Sequence, residues 1–168
     1  MAFSNASVTL IHGMSRPLGA LFHIPHGMCN AMLLPRCTSF SAQGSVDRYA
    51  ESARVLGLSD ARHDDDAAGS LALALQQVRC AAQALPLASR PAPWSGRLAP
   101  GQVTSDLKVP TLQQFGVQEE AFRRAVPKMA ADALASGSPA NNPIVPSSEE
   151  LEKLFHELWD HECRAQVN

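Results

Sequence analysis

Residues 12–35 read HGMSRPLGALFHIPHGMCNAMLLP. His12 and His26 each precede a glycine in an otherwise apolar run. Pro25 and Gly27 punctuate it, and Met28, Ala31, Met32 and Leu34 then resume an apolar helical spacing that Pro35 disturbs. The stretch predicts two helices bracketing the loop Phe22-His23-Ile24-Pro25. His26 then falls at the start of the second helix, where side chains project past free backbone N–H groups. Two imidazoles so placed raise the question of a metal, yet two do not complete a catalytic site.

Outward from this pair the pattern stays helical. Val46, Tyr49, Ala50, Ala53 and Leu56 keep a 3.6-residue period, with Gly57 as its stop and DARHDDDAAG as a polar connection. Leu71, Leu73, Ala74 and Leu75 suggest another helix. Residues 79–105, RCAAQALPLASRPAPWSGRLAPGQVTS, carry four prolines, three arginines and no acidic residue, and no periodicity survives there. From Asp106 an extended segment and turn lead to VQEEAFRRAV, a short helix ended by Pro127, which is itself a natural first residue for PKMAADALAS. Gly137 closes that helix. Ser147 and Glu150 have capping-box spacing, and Leu151, Leu154, Phe155, Leu158 and Trp159 form an apolar stripe.

The 168 residues are 45% hydrophobic, 18% charged and only 5% aromatic, rich in alanine and leucine, which favours helices packed on helices. The fold class expected is all-α, a bundle of six or seven helices. Its core should include Leu18, Met32, Leu33, Leu56, Phe122, Met129, Leu154 and Leu158. A net charge of −2 offers no basic field for phosphate backbones, so nucleic acid is excluded as a partner. The run Ala31 to Leu34 is too short to span a membrane, and MAFSNASVTL lacks a secretory pattern, which makes the cytoplasm the default location. Cys29, Cys37, Cys80 and Cys163 show no CxxC spacing and read as reduced thiols. No GxGxxG or alternating βα pattern is present to build a dinucleotide domain.

Taken residue by residue, the chemistry stays open. His12 reads as a core histidine bonded to a carbonyl or as a ligand, and His26 as a helix-start residue or a ligand. His23, close to His26 across Pro25, reads equally as a loop side chain facing solvent. Asp64, Asp65 and Asp66 lack the ligand spacing of a calcium loop and read as a solvated run.

The string FSN…LIHGMSRPLGALFHIPHGMCNAMLLP resembles the C-terminal helical half of the iron-containing (group III) alcohol dehydrogenases: a His-bearing helix, a Pro-Leu-Gly turn, then Pro-His-Gly-x-x-Asn-Ala and an apolar tail. The resemblance continues through RYAESARVLG, DLKVPTLQQFGV, MAADALASGSPANNP and SSEELEKLFHELW. It implies the helical half of a dehydroquinate synthase-like fold without its Rossmann-like domain. It further implies hydride transfer between a small alcohol or aldehyde and NAD(P), at a divalent metal, Fe²⁺ or Zn²⁺, held by one aspartate and three histidines. By motif position His12 resembles the third ligand and His26 the fourth. Phe3 aligns with an aromatic near the nicotinamide, or is a core phenylalanine. Arg16 stands where many relatives carry a further histidine. It cannot deprotonate, so as a catalytic group it would orient an anion, and otherwise it is a surface arginine.

The aspartate, the first histidine ligand and the dinucleotide domain are expected upstream of Met1, which makes this a fragment inactive alone. The chain is expected to form one helical domain over 1–168: metal-site helices 1–77, an irregular Pro-rich insertion or out-of-frame stretch 78–105, and C-terminal helices 106–162. The alternative is a non-catalytic helical module that associates with a partner chain, joining a full-length homologue as a mixed dimer. The protein partners expected are a second copy of the chain, as a homo-oligomer, or a complementing N-terminal half.

Overall fold

The computed structural model describes residues 7–58, 63–71 and 109–164, and among them all regular structure is helical. The expected all-α class is therefore observed. The helices are α1 (Leu10–Phe22), α2 (His26–Ala42), α3 (Val46–Val55), α4 (64–71), α5 (Glu119–Ala135) and α6 (Ser148–Arg164), with a short 3₁₀ turn at Ser138–Asn141. The chain divides into two compact units, Met1–Cys37 with Pro110–Asn168, and Thr38–Val109. The segment 78–105 lies outside the described residues, as do Leu73, Ala74 and Leu75.

In the first unit α5 packs against α1 and α6, and the 3₁₀ turn lies against α1 and α5. Phe122 is the hub. Its ring stacks on Trp159 at 5.2 Å, meets Phe155 edge-on at 6.5 Å and Phe22 at 6.0 Å. Such pairs add to the area each ring buries. The α6 stripe Leu151, Leu154, Phe155, Leu158 and Trp159 is buried throughout. Its start is a reciprocal capping box: Glu150 N–H donates to Ser147 Oγ at 3.2 Å, and Ser147 N–H to a Glu150 carboxylate oxygen at 2.8 Å.

In the second unit Ala50, Ala53, Ala67, Ala68 and Leu71 form a small core flanked by Val46, Tyr49 and Leu58. Helix α3 ends as expected at Gly57, whose φ of +68° continues into a Schellman pair, Leu58 N–H to Ala53 O and Gly57 N–H to Arg54 O. The DDDAAG stretch is not the polar connection expected. Residues 64–71 are helical because Ala67, Ala68 and Leu71 supply a narrow apolar face, while Asp64 pairs with Arg54 at 2.6 Å.

Three further expectations are corrected. Leu56 is 41% exposed, since the period that buries Ala50 and Ala53 ends with α3 and Leu56 caps it; the other seven core assignments hold. Pro127 does not end a helix: α5 runs unbroken from Glu119 to Ala135. Pro127 is exposed, so the Arg123 carbonyl deprived of its helical donor faces the solvent side, where water can serve it. Pro17-Leu18-Gly19 is likewise no turn and continues α1.

Candidate metal centre

The two halves of the opening stretch are joined by a very tight connection. His23 caps α1 in the left-handed region, φ 55° and ψ 32°, and Pro25 O accepts from the N–H groups of Met28 and Cys29 to start α2. Between them Ile24 is buried, and its carbonyl oxygen folds onto Gly19 while accepting from Cys29 Sγ at 3.6 Å. A Cβ on Gly19 would lie 2.9 Å from that oxygen, so only glycine lets the loop close this far. Gly13 plays the same part on the other side of α1, where a Cβ would meet the Pro139 ring at 2.9 Å. Gly27 has open space around it.

This reversal brings His26, the first residue of α2, beside His12 on α1. Their ring centroids are 5.2 Å apart and the planes are inclined by 52°. The separation suits one shared ion. With a metal–nitrogen bond of about 2.1 Å, two imidazoles at a tetrahedral angle would have centroids about 5 Å apart. Neutral imidazole is a fitting donor for either iron or zinc. The His12 pKa is lowered, first by burial and then by the neighbouring His26 and Arg16, which favours the neutral ligating form. No third His, Cys, Asp or Glu joins them in a metal-holding group among the described residues. The pair fits half of a coordination shell.

Ser15, fully buried one turn after His12, contacts both partners: its Oγ donates to His12 O at 3.3 Å and lies 3.3 Å from His26 Nδ1. Arg16 is exposed on α1, and its guanidinium donates to Ser138 Oγ at 3.2 Å. Neither Ser15 nor Ser138 is singled out by the sequence pattern. A serine three residues after a candidate ligand is a local signal for the first; nothing local signals the second, which is 122 positions from Arg16. His23 is exposed and its backbone serves the turn. Phe3 lies outside the described residues. No helix among the described residues is long and apolar enough to cross a membrane.

A helical scaffold that turns back on itself to pair two imidazoles forms a candidate metal site, and comparison with known proteins places that scaffold in a family. The model of the Fe-containing alcohol dehydrogenase family, C-terminal, matches residues 1–84, half of the chain. This chain belongs to that family. It is 27% identical over 156 residues to the NADPH-dependent butanol dehydrogenase of Clostridium saccharobutylicum, covering 92% of this chain and 34% of the relative. It is 29% identical over 160 residues to the lactaldehyde reductase of Escherichia coli (strain K12), covering 95% of this chain and 35% of the relative. The crystal structure of a 1,3-propanediol oxidoreductase superposes with a TM-score of 0.71 at 24% identity, over 94% of this chain and 34% of that one, a likeness of fold. The chain thus spans about a third of the length of these relatives.

Proposed function

We propose that this chain contributes the two-histidine side of a divalent metal centre in an NAD(P)-dependent alcohol or aldehyde oxidoreductase, and that it does not turn over substrate alone. The observation that carries the reading is the 5.2 Å pairing of the His12 and His26 rings. Family membership supports the chemical class. The remaining donors and the dinucleotide would be held by residues other than those described.

His12 and His26 would hold Fe²⁺ or Zn²⁺ through neutral imidazole nitrogens. When bound, such an ion supplies Lewis acidity toward an alcohol or carbonyl oxygen. This chain's residues then have separate tasks. The α1–α2 reversal keeps the imidazoles at a fixed separation, which limits the reorganisation that ion binding requires. Arg16, a permanent cation anchored to Ser138, is suited to orient an anionic group and cannot relay a proton. Phe3 is proposed as the nicotinamide-side aromatic on family resemblance alone.

The test is Co²⁺ or Zn²⁺ binding to the full 168-residue chain. Wild type should bind one ion per chain, and the His12→Ala, His26→Ala double variant none. Adding a family dinucleotide domain with the complementary ligands should then yield alcohol-dependent reduction of NAD(P)⁺. Equal metal binding by wild type and the double variant would remove the reading and favour a partner-binding helical module.

A further inference from the structure

Resting on that reading, we infer that Ser15 is the positioning residue for His26: its hydroxyl fixes the imidazole as the Nδ1–H tautomer and so leaves the Nε2 lone pair free for a divalent cation. The argument begins with hydrogen counting. Serine carries one O–H donor and can accept through its oxygen lone pairs. Ser15 Oγ has two neighbours at hydrogen-bond distance, the His12 carbonyl oxygen and His26 Nδ1, each at 3.3 Å. The Ser15 hydroxyl donates to the His12 carbonyl, which can only accept. With the hydroxyl proton so placed, the proton shared with His26 comes from Nδ1, and in a neutral imidazole that leaves Nε2 unprotonated.

Burial gives the arrangement its force. Ser15 is fully buried, whereas His26 is exposed at the first position of α2. An exposed imidazole at a helix start has little else to hold its ring, and the Ser15 hydroxyl, rooted in α1, is the hydrogen-bond contact that the structure gives it. The same hydroxyl is tied to the backbone of His12 itself. One side chain therefore references both imidazoles to a single turn of α1, on a rigid element. Histidine ligands characteristically use their second nitrogen in this way, and losing such a partner typically lowers metal affinity about ten- to a hundredfold.

The experiment compares wild type with Ser15→Ala, using the whole chain. Alanine is a favourable helix residue and removes only the hydroxyl, and circular dichroism checks that the helices persist. Ring ¹⁵N NMR of the metal-free protein, above the imidazole titration, reads the tautomer of His26; Co²⁺ titration followed by its ligand-field absorption reads affinity. The expected result is Nδ1–H at His26 in wild type, a shift toward Nε2–H in Ser15→Ala, and a Co²⁺ affinity about ten- to a hundredfold weaker in the variant. Nε2–H at His26 in wild type overturns the inference without any variant. So does a variant with unchanged tautomer and affinity. If wild type takes up no Co²⁺ but the tautomer depends on Ser15, the metal reading fails while the positioning role stands. Co²⁺ uptake by wild type that is matched by Ser15→Ala, with the His26 tautomer also unchanged, does the reverse, keeping the metal reading and overturning the positioning role.

Discussion

The carbonyl oxygen of Ile24 occupies the space that a side chain on Gly19 would need, 2.9 Å from an ideal Cβ. Because that carbonyl belongs to the loop that delivers His26 to His12, Gly19 connects backbone sterics to the imidazole pair. In Gly19→Ala the loop must shift, at a cost of about 1–3 kcal/mol of stability. Metal affinity should fall with it as the imidazoles separate. Gly27→Ala is the control: nothing lies within 4 Å of its Cβ, so the exchange should be neutral or stabilise the chain by up to about 1 kcal/mol. Urea melts of both variants test the contrast, and equal destabilisation of the two would contradict it.

Gly13→Ala tests the opposite wall of α1. Its Cβ would press on the Pro139 ring, 2.9 Å away, and a proline ring has no flexible end to yield. The 3₁₀ turn carrying Ser138 should be displaced, releasing the Arg16 guanidinium from its 3.2 Å bond. A loss of about 1–3 kcal/mol is expected. Increased side-chain mobility of Arg16, measured by NMR relaxation of its Nε–H, should accompany the loss.

These two glycines also show what the sequence could and could not convey. The pairing of His12 with His26 was legible because Pro25 and the family-like spacing mark a reversal between two helices. The α6 start was legible because a capping box is a local code in Ser147 and Glu150. Contacts between distant segments carry no such code: Pro139 is invisible from Gly13, and Ser138 from Arg16. Pro127 misled because proline breaks helices by default, and whether the orphaned carbonyl faces water is decided only by packing. Leu56 misled for a related reason, since a periodic pattern does not announce the turn at which its helix stops.

Phe122 should be the costliest truncation in the first unit. It is fully buried and touches the rings of Phe22, Phe155 and Trp159, so Phe122→Ala would open a cavity among three aromatics. The expected loss is about 3–5 kcal/mol. Leu56→Ala, at a site 41% exposed, should cost well under about 1 kcal/mol. Thermal midpoints of the two variants should differ by several degrees, and a comparable drop in both would place the core elsewhere.

Burial pushes the Cys37 thiol up to about 12 and the Cys29 thiol to about 11, so neither holds appreciable thiolate at neutral pH. Cys37 is enclosed and its Sγ lies 3.7 Å from Met14 Sδ. In a chain with Cys80 and Cys163 replaced by serine, a thiol-reactive chromophore should label the native protein slowly and the urea-unfolded protein at once. Fast native labelling would show that the α1–α2 interface opens readily.

Acid should weaken the metal-free fold through His12. Its pKa is lowered from the ordinary 6.5 by burial first, then by the charges of His26 and Arg16. The unfolded chain therefore takes up a proton at His12 before the folded chain does. Stability tied to this residue is complete above the unfolded value and declines as pH falls through 6.5 toward the lower folded value. His12→Gln removes the titrating group while keeping a planar polar side chain, so the variant's urea midpoint should fall less steeply across that window than wild type's. Arg16→Met should move in the same direction, more weakly, because it withdraws only the third of the three causes. Parallel pH profiles for wild type and His12→Gln would show that the imidazole is equally basic in both states and that its neutral form is not favoured by the fold.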